Sequence, residues 1–269
     1  MPAAGPIELD EQPGAAAGGP GPVDPSSTLA LAARAAITTA RTDGVRLFTR
    51  SPPAHSVILG RARLACEGSV RSVRAVALPA GTPHTLLSLA DAHASVAYLD
   101  ARYYRFEDAA YLAQRWRGFV PGRDDVRELL GDALLRPQRR VDRRLLRALS
   151  ALEAGELDVP SAARQVDLSD SRLTHLMTET LGAPPRTWRA WFKLRHAIAE
   201  TVLHGATLTQ AAHRAGFVDS AHLTRTCKQL MGVAPARVLP RTIHVCDDAQ
   251  AAAPGQRIAG NLRSTPAER

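Results

Sequence analysis

The chain has 269 residues, a formal net charge of +8 and a hydrophobic content of 45%, which is enough apolar material for two packed domains. Its three cysteines, Cys66, Cys227 and Cys246, are too few and too scattered for a disulfide framework or a zinc site, and no cofactor is expected. No segment approaches the roughly 18 consecutive apolar residues of a membrane helix, so we expect a cytoplasmic protein with no membrane partner.

Both ends of the chain have the composition of disordered segments. Residues 1–27 consist mainly of Ala, Gly and Pro with scattered acidic residues. Such a segment offers little apolar surface to offset the entropy of ordering, so it is predicted to be a disordered arm. Residues 241–269 have a similar composition and are predicted to be a disordered tail.

Residues 28–120 are predicted to form a β-rich domain. Short apolar runs separated by Gly and Pro are typical of strands joined by turns. Three such runs occur, at residues 56–59, 70–78 and 94–99. In the second run, Val73 and Val76 lie three residues apart, which breaks the two-residue period of a strand. A bulge or a change of register near Arg74 is therefore expected.

Residues 121–156 are predicted to be a helical connector. Apolar residues follow helical spacing from 126 to 134 and again from 141 to 154, where Gly155 ends the pattern. The apolar face of the first helix leaves two uses open. It either packs within the chain or forms the surface of a homodimer.

Residues 157–240 contain one pattern twice, fifty residues apart. The first copy has Leu173, Leu181, Gly182 and Pro185, and the second has Leu223, Met231, Gly232 and Pro235. A residue that can cap a helix, Ser169 or Asp219, stands four positions before the first leucine of each copy. Each copy is predicted to be the second half of a helix-turn-helix, with its apolar residues facing inward.

The segment between the two copies is predicted to be one long helix. Pro185 can begin a helix and Gly205 can end it. The nineteen residues from Arg186 to His204 would span about 28 Å. That length is close to the roughly 34 Å between successive major-groove faces of DNA, so the two recognition helices are spaced for neighbouring turns of one duplex.

Positive charge is concentrated in this half of the chain. Residues 139–241 hold 16 Lys and Arg against 9 Asp and Glu, which accounts for +7 of the total +8. A basic domain is typical of proteins with a polyanionic partner. A high content of Arg and Ala can also reflect the composition of the genome.

Residues 157–240 resemble the DNA-binding domain of AraC/XylS-type transcription regulators. The resemblance rests on Ala212, Gly216-Phe217, Asp219-Ser220, His222-Leu223, Arg225, Lys228 and Gly232-Val233-Ala234-Pro235. It implies an α+β protein with a cupin-like β-barrel in residues 28–120, the helical connector, and an all-α domain of two helix-turn-helix units joined by a linker helix. It also implies double-stranded DNA as a partner and RNA polymerase as a candidate second partner.

The resemblance also implies which residues meet DNA. Base contacts are expected from Ser171, Thr174 and His175 in the first copy, and from Ser220, Ala221 and Arg225 in the second. Arg225 has chemical support of its own, because a guanidinium can bind guanine through two hydrogen bonds. Arg172 and Lys228 are expected to contact phosphates, which adds affinity without sequence information.

In this family the other domain commonly senses a small molecule. The segment from Pro79 to His84, followed by a strand that ends at Asp100, looks similar to that domain. Phe48 and Tyr98 are the aromatic residues between 45 and 100, which favours a small or aliphatic effector. A domain that binds no effector, and only dimerises or contacts another protein, fits these residues equally well.

Three alternatives remain for the chemistry of the chain. His55 and His84 suggest a metal, but they lack the clustered ligands that metal sites need. Some proteins with this DNA-binding domain are alkyl-transferring repair enzymes, but Cys227 takes an inner helix position, and no catalytic residue is expected. The third alternative is an architectural protein that binds DNA of any sequence.

Overall fold

The computed structural model describes residues 28–32, 34–41, 49–91, 93–235 and 242–245. The predicted arm, Phe48 and residues 246–269 of the predicted tail lie outside the described residues. The predicted α+β class is confirmed, with a β-rich N-terminal part and a helical C-terminal part. No described helix is both long and apolar enough to span a membrane.

Among the described residues, seven strands form one sheet in the order β4-β3-β6-β2-β1-β7, with β5 paired to β3. The strands are β1 Thr28–Leu31, β2 Ala35–Arg41, β3 Ala54–Cys66, β4 Ser69–Leu78, β5 His84–Leu89, β6 His93–Asp100 and β7 Thr242–Val245. All pairs are antiparallel except β1 with β7. The three strand regions predicted from the sequence correspond to β3, β4 and β6.

Strand β3 organises the sheet because β4 covers one of its edges, while β6 and β5 share the other. Its register with β4 shifts between Leu59 and Ala62, opposite Arg74. Gly60, at φ +117°, lies in this irregularity, where residues with a side chain rarely fit. The bulge expected near Arg74 is confirmed in position, and the extra residue belongs to the partner strand.

Strand β7 corrects the prediction for residues 241–269. Thr242–Val245 pair in parallel with β1, so the disordered tail was wrong over these four residues. The segment Thr-Ile-His-Val is rich in β-branched residues, which favour strands. The prediction used the average composition of residues 241–269, in which four strand-forming residues carry little weight.

Eight α-helices follow β6 among the described residues. They are α1 Phe106–Arg115, α2 Val126–Leu134, α3 Arg143–Ala154, α4 Val159–Gln165, α5 Asp170–Leu181, α6 Pro185–His204, α7 Leu208–Arg214 and α8 Ser220–Met231. The connector is α2 and α3, close to the predicted bounds. Helix α1 was not anticipated.

One apolar cluster lies between the sheet and the first two helices. Val57 and Leu59 of β3 contribute to it together with the inner faces of α1 and α2. Leu130 and Ala133 of α2 have no exposed surface. The apolar face of α2 therefore packs within the chain, which decides between the two uses that the sequence left open.

A second cluster joins the sheet to the DNA-binding half. Ile58 and Tyr98 of the sheet belong to the same cluster as Leu149 of α3, Trp188 of α6 and residues of α5 and α8. The aromatic rings of Tyr98 and Trp191 lie 5.6 Å apart between centroids. The predicted sensory and DNA-binding domains therefore share one continuous core.

His55 and His84 both serve the fold. His55 accepts the Ala80 N–H at Nδ1 (3.0 Å) and contacts the Tyr104 carbonyl through Nε2 (3.2 Å). His84 accepts from Arg50 Nε at Nε2 (2.8 Å) and contacts the Thr82 carbonyl through Nδ1 (2.9 Å). Desolvation by burial lowers the pKa of each to about 4, and the nearby Arg50 charge adds to the effect at His84. These contacts engage both nitrogens of each ring within the protein and support a structural role.

Acid should therefore destabilise the protein through His55 and His84. The folded state keeps both neutral down to a pKa of about 4, whereas in the unfolded chain they titrate near 6.5. The unfolded chain binds more protons between these values, so stability falls as the pH drops through that window. At pH 5 each histidine should cost about 2 kcal/mol relative to pH 7.5.

Urea unfolding at pH 7.5 and pH 5 measures this loss. A variant with His55→Gln and His84→Gln keeps a donor and an acceptor at each position but does not titrate. It should lose most of the pH dependence in this window. An unchanged dependence would assign it to other groups.

Candidate nucleic-acid interface

The first recognition helix, α5, begins and ends as its sequence predicts. The Ser169 hydroxyl accepts the backbone N–H of Arg172 (3.2 Å), and Gly182 closes the helix at φ +76°. Leu173, Met177 and Leu181 are buried. A capped helix with one apolar stripe is held firmly while its other face stays available.

The outer face of α5 carries the first three predicted base contacts and one residue that the sequence analysis missed. Ser171 and His175 are exposed, as is the predicted phosphate contact Arg172, and Thr174 is half-buried. Glu179, one turn after His175, approaches its ring (Nε2 to Oε1, 3.1 Å). This i,i+4 spacing could have identified the pair from the sequence.

The second recognition helix, α8, is capped by the same means. The Asp219 carboxylate accepts the N–H of His222 (2.6 Å), and Leu223, Cys227, Leu230 and Met231 form its buried face. Helix α7 before it starts with the predicted capping box, in which Thr207 and Gln210 exchange hydrogen bonds of 3.0 and 3.3 Å. Both helices therefore start where the sequence placed them.

The outer face of α8 is more basic than that of α5. Ala221 and Arg225 are exposed, whereas Ser220 and Lys228 are half-buried. His222, which also lies on the outer side of the helix, packs edge-on against the ring of Phe217 at 5.2 Å.

The two turns that precede the recognition helices are equivalent but not identical. Leu168 donates its N–H to Ala163 (3.0 Å), and Phe217 donates to Ala212 (2.8 Å), a shift of 49 residues rather than 50. The difference is Val218, which is inserted before the second cap and is 77% exposed. The offset between the two copies therefore changes from 49 to 50 residues within the turn and is constant on either side of it.

Helix α6 separates the two units over 20 residues, or about 30 Å. Trp188, Trp191 and Phe192 anchor it in the core. Lys193 donates through Nζ to the Gly216 carbonyl (2.6 Å), which ties the helix to the second turn. Helix α7 is also tied to α6, by an ion pair of 2.8 Å between Arg214 and Glu200.

The described cysteines are poor nucleophiles. Cys227 has no exposed surface, and burial raises its pKa to about 12. Burial also raises the pKa of the Cys66 thiol. Because the thiolate is the reactive form, neither residue supports alkyl transfer. Cys246 lies outside the described residues.

Residues 162–241 match a family model described as a helix-turn-helix domain. The match covers 80 of the 269 residues and supports the predicted helix-turn-helix domain of the AraC/XylS type in this part of the chain. A comparison with curated proteins finds no match.

The solved structures that resemble this chain include two of ToxT and one of a regulator with an AraC-type DNA-binding domain. An apo variant of ToxT from Vibrio cholerae strain SCE256 has a TM-score of 0.50 at 10% identity, covering 77% of this chain and 97% of that chain. ToxT from Vibrio cholerae O395 gives 0.49 at 13% identity, with the same coverage. A regulator with an AraC-type DNA-binding domain from Chromobacterium violaceum gives 0.34 at 24% identity, covering 42% of this chain and 95% of that chain. The first likeness indicates a shared fold.

The predicted base and phosphate contacts lie on two outward faces of the AraC/XylS-type domain, and their roles on DNA stay predictions. Arg225→Ala should weaken binding to a preferred site by about 1–3 kcal/mol and relax the preference at one base pair. Lys228→Ala removes the same charge but should weaken binding to all sequences alike. It should also reduce the slope of log affinity against log salt concentration by about one, because one phosphate contact is lost. Titrations on preferred and random DNA at several salt concentrations compare them. Equal losses on both DNAs for Arg225→Ala would make it a phosphate contact.

Proposed function

We propose that the protein is a sequence-specific transcription regulator that reads double-stranded DNA with α5 and α8. The supporting observation is the pair of capped recognition helices, each with a polar outer face, joined through a partly buried linker helix of about 30 Å. The length of the linker helix is close to the roughly 34 Å between successive major-groove faces of B-DNA. RNA polymerase is a candidate second partner through the family resemblance alone.

In vitro selection from a random DNA pool tests this function. The full chain should be used, because the two domains share a core. We expect enriched sites with two short determinants about one helical turn apart. Good binding without enrichment would instead support the architectural alternative, in which shape and phosphate charge replace base recognition.

The protein is also proposed to respond to a small effector in a cavity between the sheet and α6. The cavity has a volume of about 370 Å³, at the lower end of the range typical of ligand pockets. The sheet contributes Ala54 and Tyr98, and α6 contributes Trp191, Phe192 and Ile198. A ligand there would touch the helix that spaces the two recognition helices.

The lining favours a compact, mainly apolar molecule with one polar group. Aromatic and aliphatic side chains form most of the wall, and the polar end contains Arg195 together with Asp100 and Glu153. Arg195 forms ion pairs with Asp100 (3.7 Å) and Glu153 (4.0 Å). The sequence argument for an aliphatic effector considered residues 45–100 alone and missed the two aromatic residues that α6 supplies.

The fluorescent dye 1-anilinonaphthalene-8-sulfonate has this chemistry and can probe the cavity. Ala199 lines the wall on α6, so Ala199→Trp should fill the cavity and weaken dye binding about tenfold or more. Ala90→Trp, at an exposed position of the sheet domain, is the matched control and should bind as the wild type does. Equal dye binding by both variants would place the dye elsewhere.

A further inference from the structure

The second recognition helix ends against the sheet domain. Arg50 donates through Nη1 to the carbonyl of Met231, the last residue of α8 (3.0 Å). The backbone N–H of Ser51 donates to the Gln229 carbonyl (3.2 Å). The last carbonyls of a helix have no partner within it and carry the negative end of its dipole, so a guanidinium and an N–H are suitable partners.

The first recognition helix ends against the same part of the molecule. Arg139 of the connector donates through Nη1 to the Thr180 carbonyl of α5 and to the Ala101 carbonyl after β6, both at 3.2 Å. Gly81 lies directly against Gly182, the residue that closes α5. A Cβ atom on Gly81 would stand 1.7 Å from the Gly182 oxygen, so no side chain fits between the two backbones.

These contacts fall at the same end of each copy, on the last turn of the recognition helix, although not on equivalent residues. Leu181 and Gly182 close α5 as Met231 and Gly232 close α8, and each end meets an arginine from outside the helix-turn-helix units. We call Arg50, Ser51, Gly81 and Arg139 the clamp. The outward faces with the predicted base contacts are not part of it.

Two clamp residues from neighbouring loops are bonded to each other. The Ser51 hydroxyl donates to the Gly81 carbonyl (2.7 Å), and Gly81 N–H donates to the Pro52 carbonyl (2.8 Å). The loop that touches α8 and the loop that touches α5 are therefore one unit, and displacing one helix end strains the contact with the other.

Arg50 is held in its orientation from behind. It is 5% exposed, and its Nε donates to the neutral ring of His84 while Nη1 reaches α8. A buried guanidinium held by two directional hydrogen bonds fixes the position of the helix end that it binds, whereas a charge on a mobile side chain would only attract it. A contact that served only to join the two domains would not need to reach the last turn of both recognition helices.

We propose that the clamp fixes the distance between the two recognition helices, so that the N-terminal domain sets the spacing of DNA determinants that the protein accepts. The proposal rests on the bipartite reading of DNA proposed above. Arg50 and Arg139 are positioning residues in it, because they act through α8 and α5 and not on DNA.

The test measures affinity for a selected site and for versions with one or two base pairs inserted or deleted between its determinants. Full-length wild type should prefer one spacing. Arg50→Ala and Arg139→Ala should each reduce that discrimination about fivefold or more, with affinity for a single determinant unchanged. Arg71→Ala removes the same charge from an exposed position of the sheet and should keep the wild-type profile.

One further variant and the outcomes that would contradict the proposals complete the test. Arg50→Lys retains a cation at the end of α8 and should recover part of the discrimination, which also covers the case in which Arg50→Ala unfolds. If the arginine variants match Arg71→Ala at every spacing, the clamp proposal is wrong. If the wild type itself selects a two-part site but accepts all spacings, the clamp again fails, whereas a wild type that selects no site at all refutes the proposed function.

Discussion

The structure depends on a buried charge at the junction of its three parts. Arg102, after the last strand of the sheet domain, is 7% exposed. Its guanidinium binds Asp100 through Nε and Nη2 and Glu153 of α3 through Nη1, and it lies 5.0 Å from the ring centre of Phe192 on α6. A buried charge is tolerated only when it is paired, so the sheet, connector and linker helix must meet in one arrangement to satisfy it. The apolar core shared by both halves supplies most of the buried surface, and the paired Arg102 guanidinium fixes how the three parts are arranged.

The same junction forms the polar end of the cavity. Asp100 and Glu153 bind Arg102 and also approach Arg195, so a ligand at Arg195 would meet side chains that already hold α6. A ligand changes DNA binding only if it binds two arrangements of the protein with different affinity. The cavity provides a physical basis for such a difference, because its two walls belong to the sheet domain and to the helix between the recognition helices.

Local features were predictable from the sequence, and distant ones were not. Ser169, Thr207 and Asp219 cap helices through partners three residues away, so their pattern could be recognised in the chain. Strand β7 pairs with a segment more than two hundred residues earlier, and Arg50 binds a carbonyl 181 residues later. No periodicity or spacing signals such contacts. The aromatic lining of the cavity was missed for the same reason, since it comes from both halves of the chain.

The two recognition helices differ in charge, and this explains why their placement would matter. Helix α5 contains Asp170, Arg172 and Glu179, a net charge of −1, whereas α8 contains Arg225 and Lys228, a net charge of +2. On the predicted complex, phosphates would attract α8 to any DNA but, apart from the predicted contact at Arg172, would oppose the approach of α5. The contribution of α5 would therefore come from hydrogen bonds to bases, which form only when the helix is already held at the groove. Once α8 is bound, a rigid connection gives α5 a high effective concentration at one position on the duplex. Specificity would then rest on the helix that binds more weakly, and on the contacts that keep it in place.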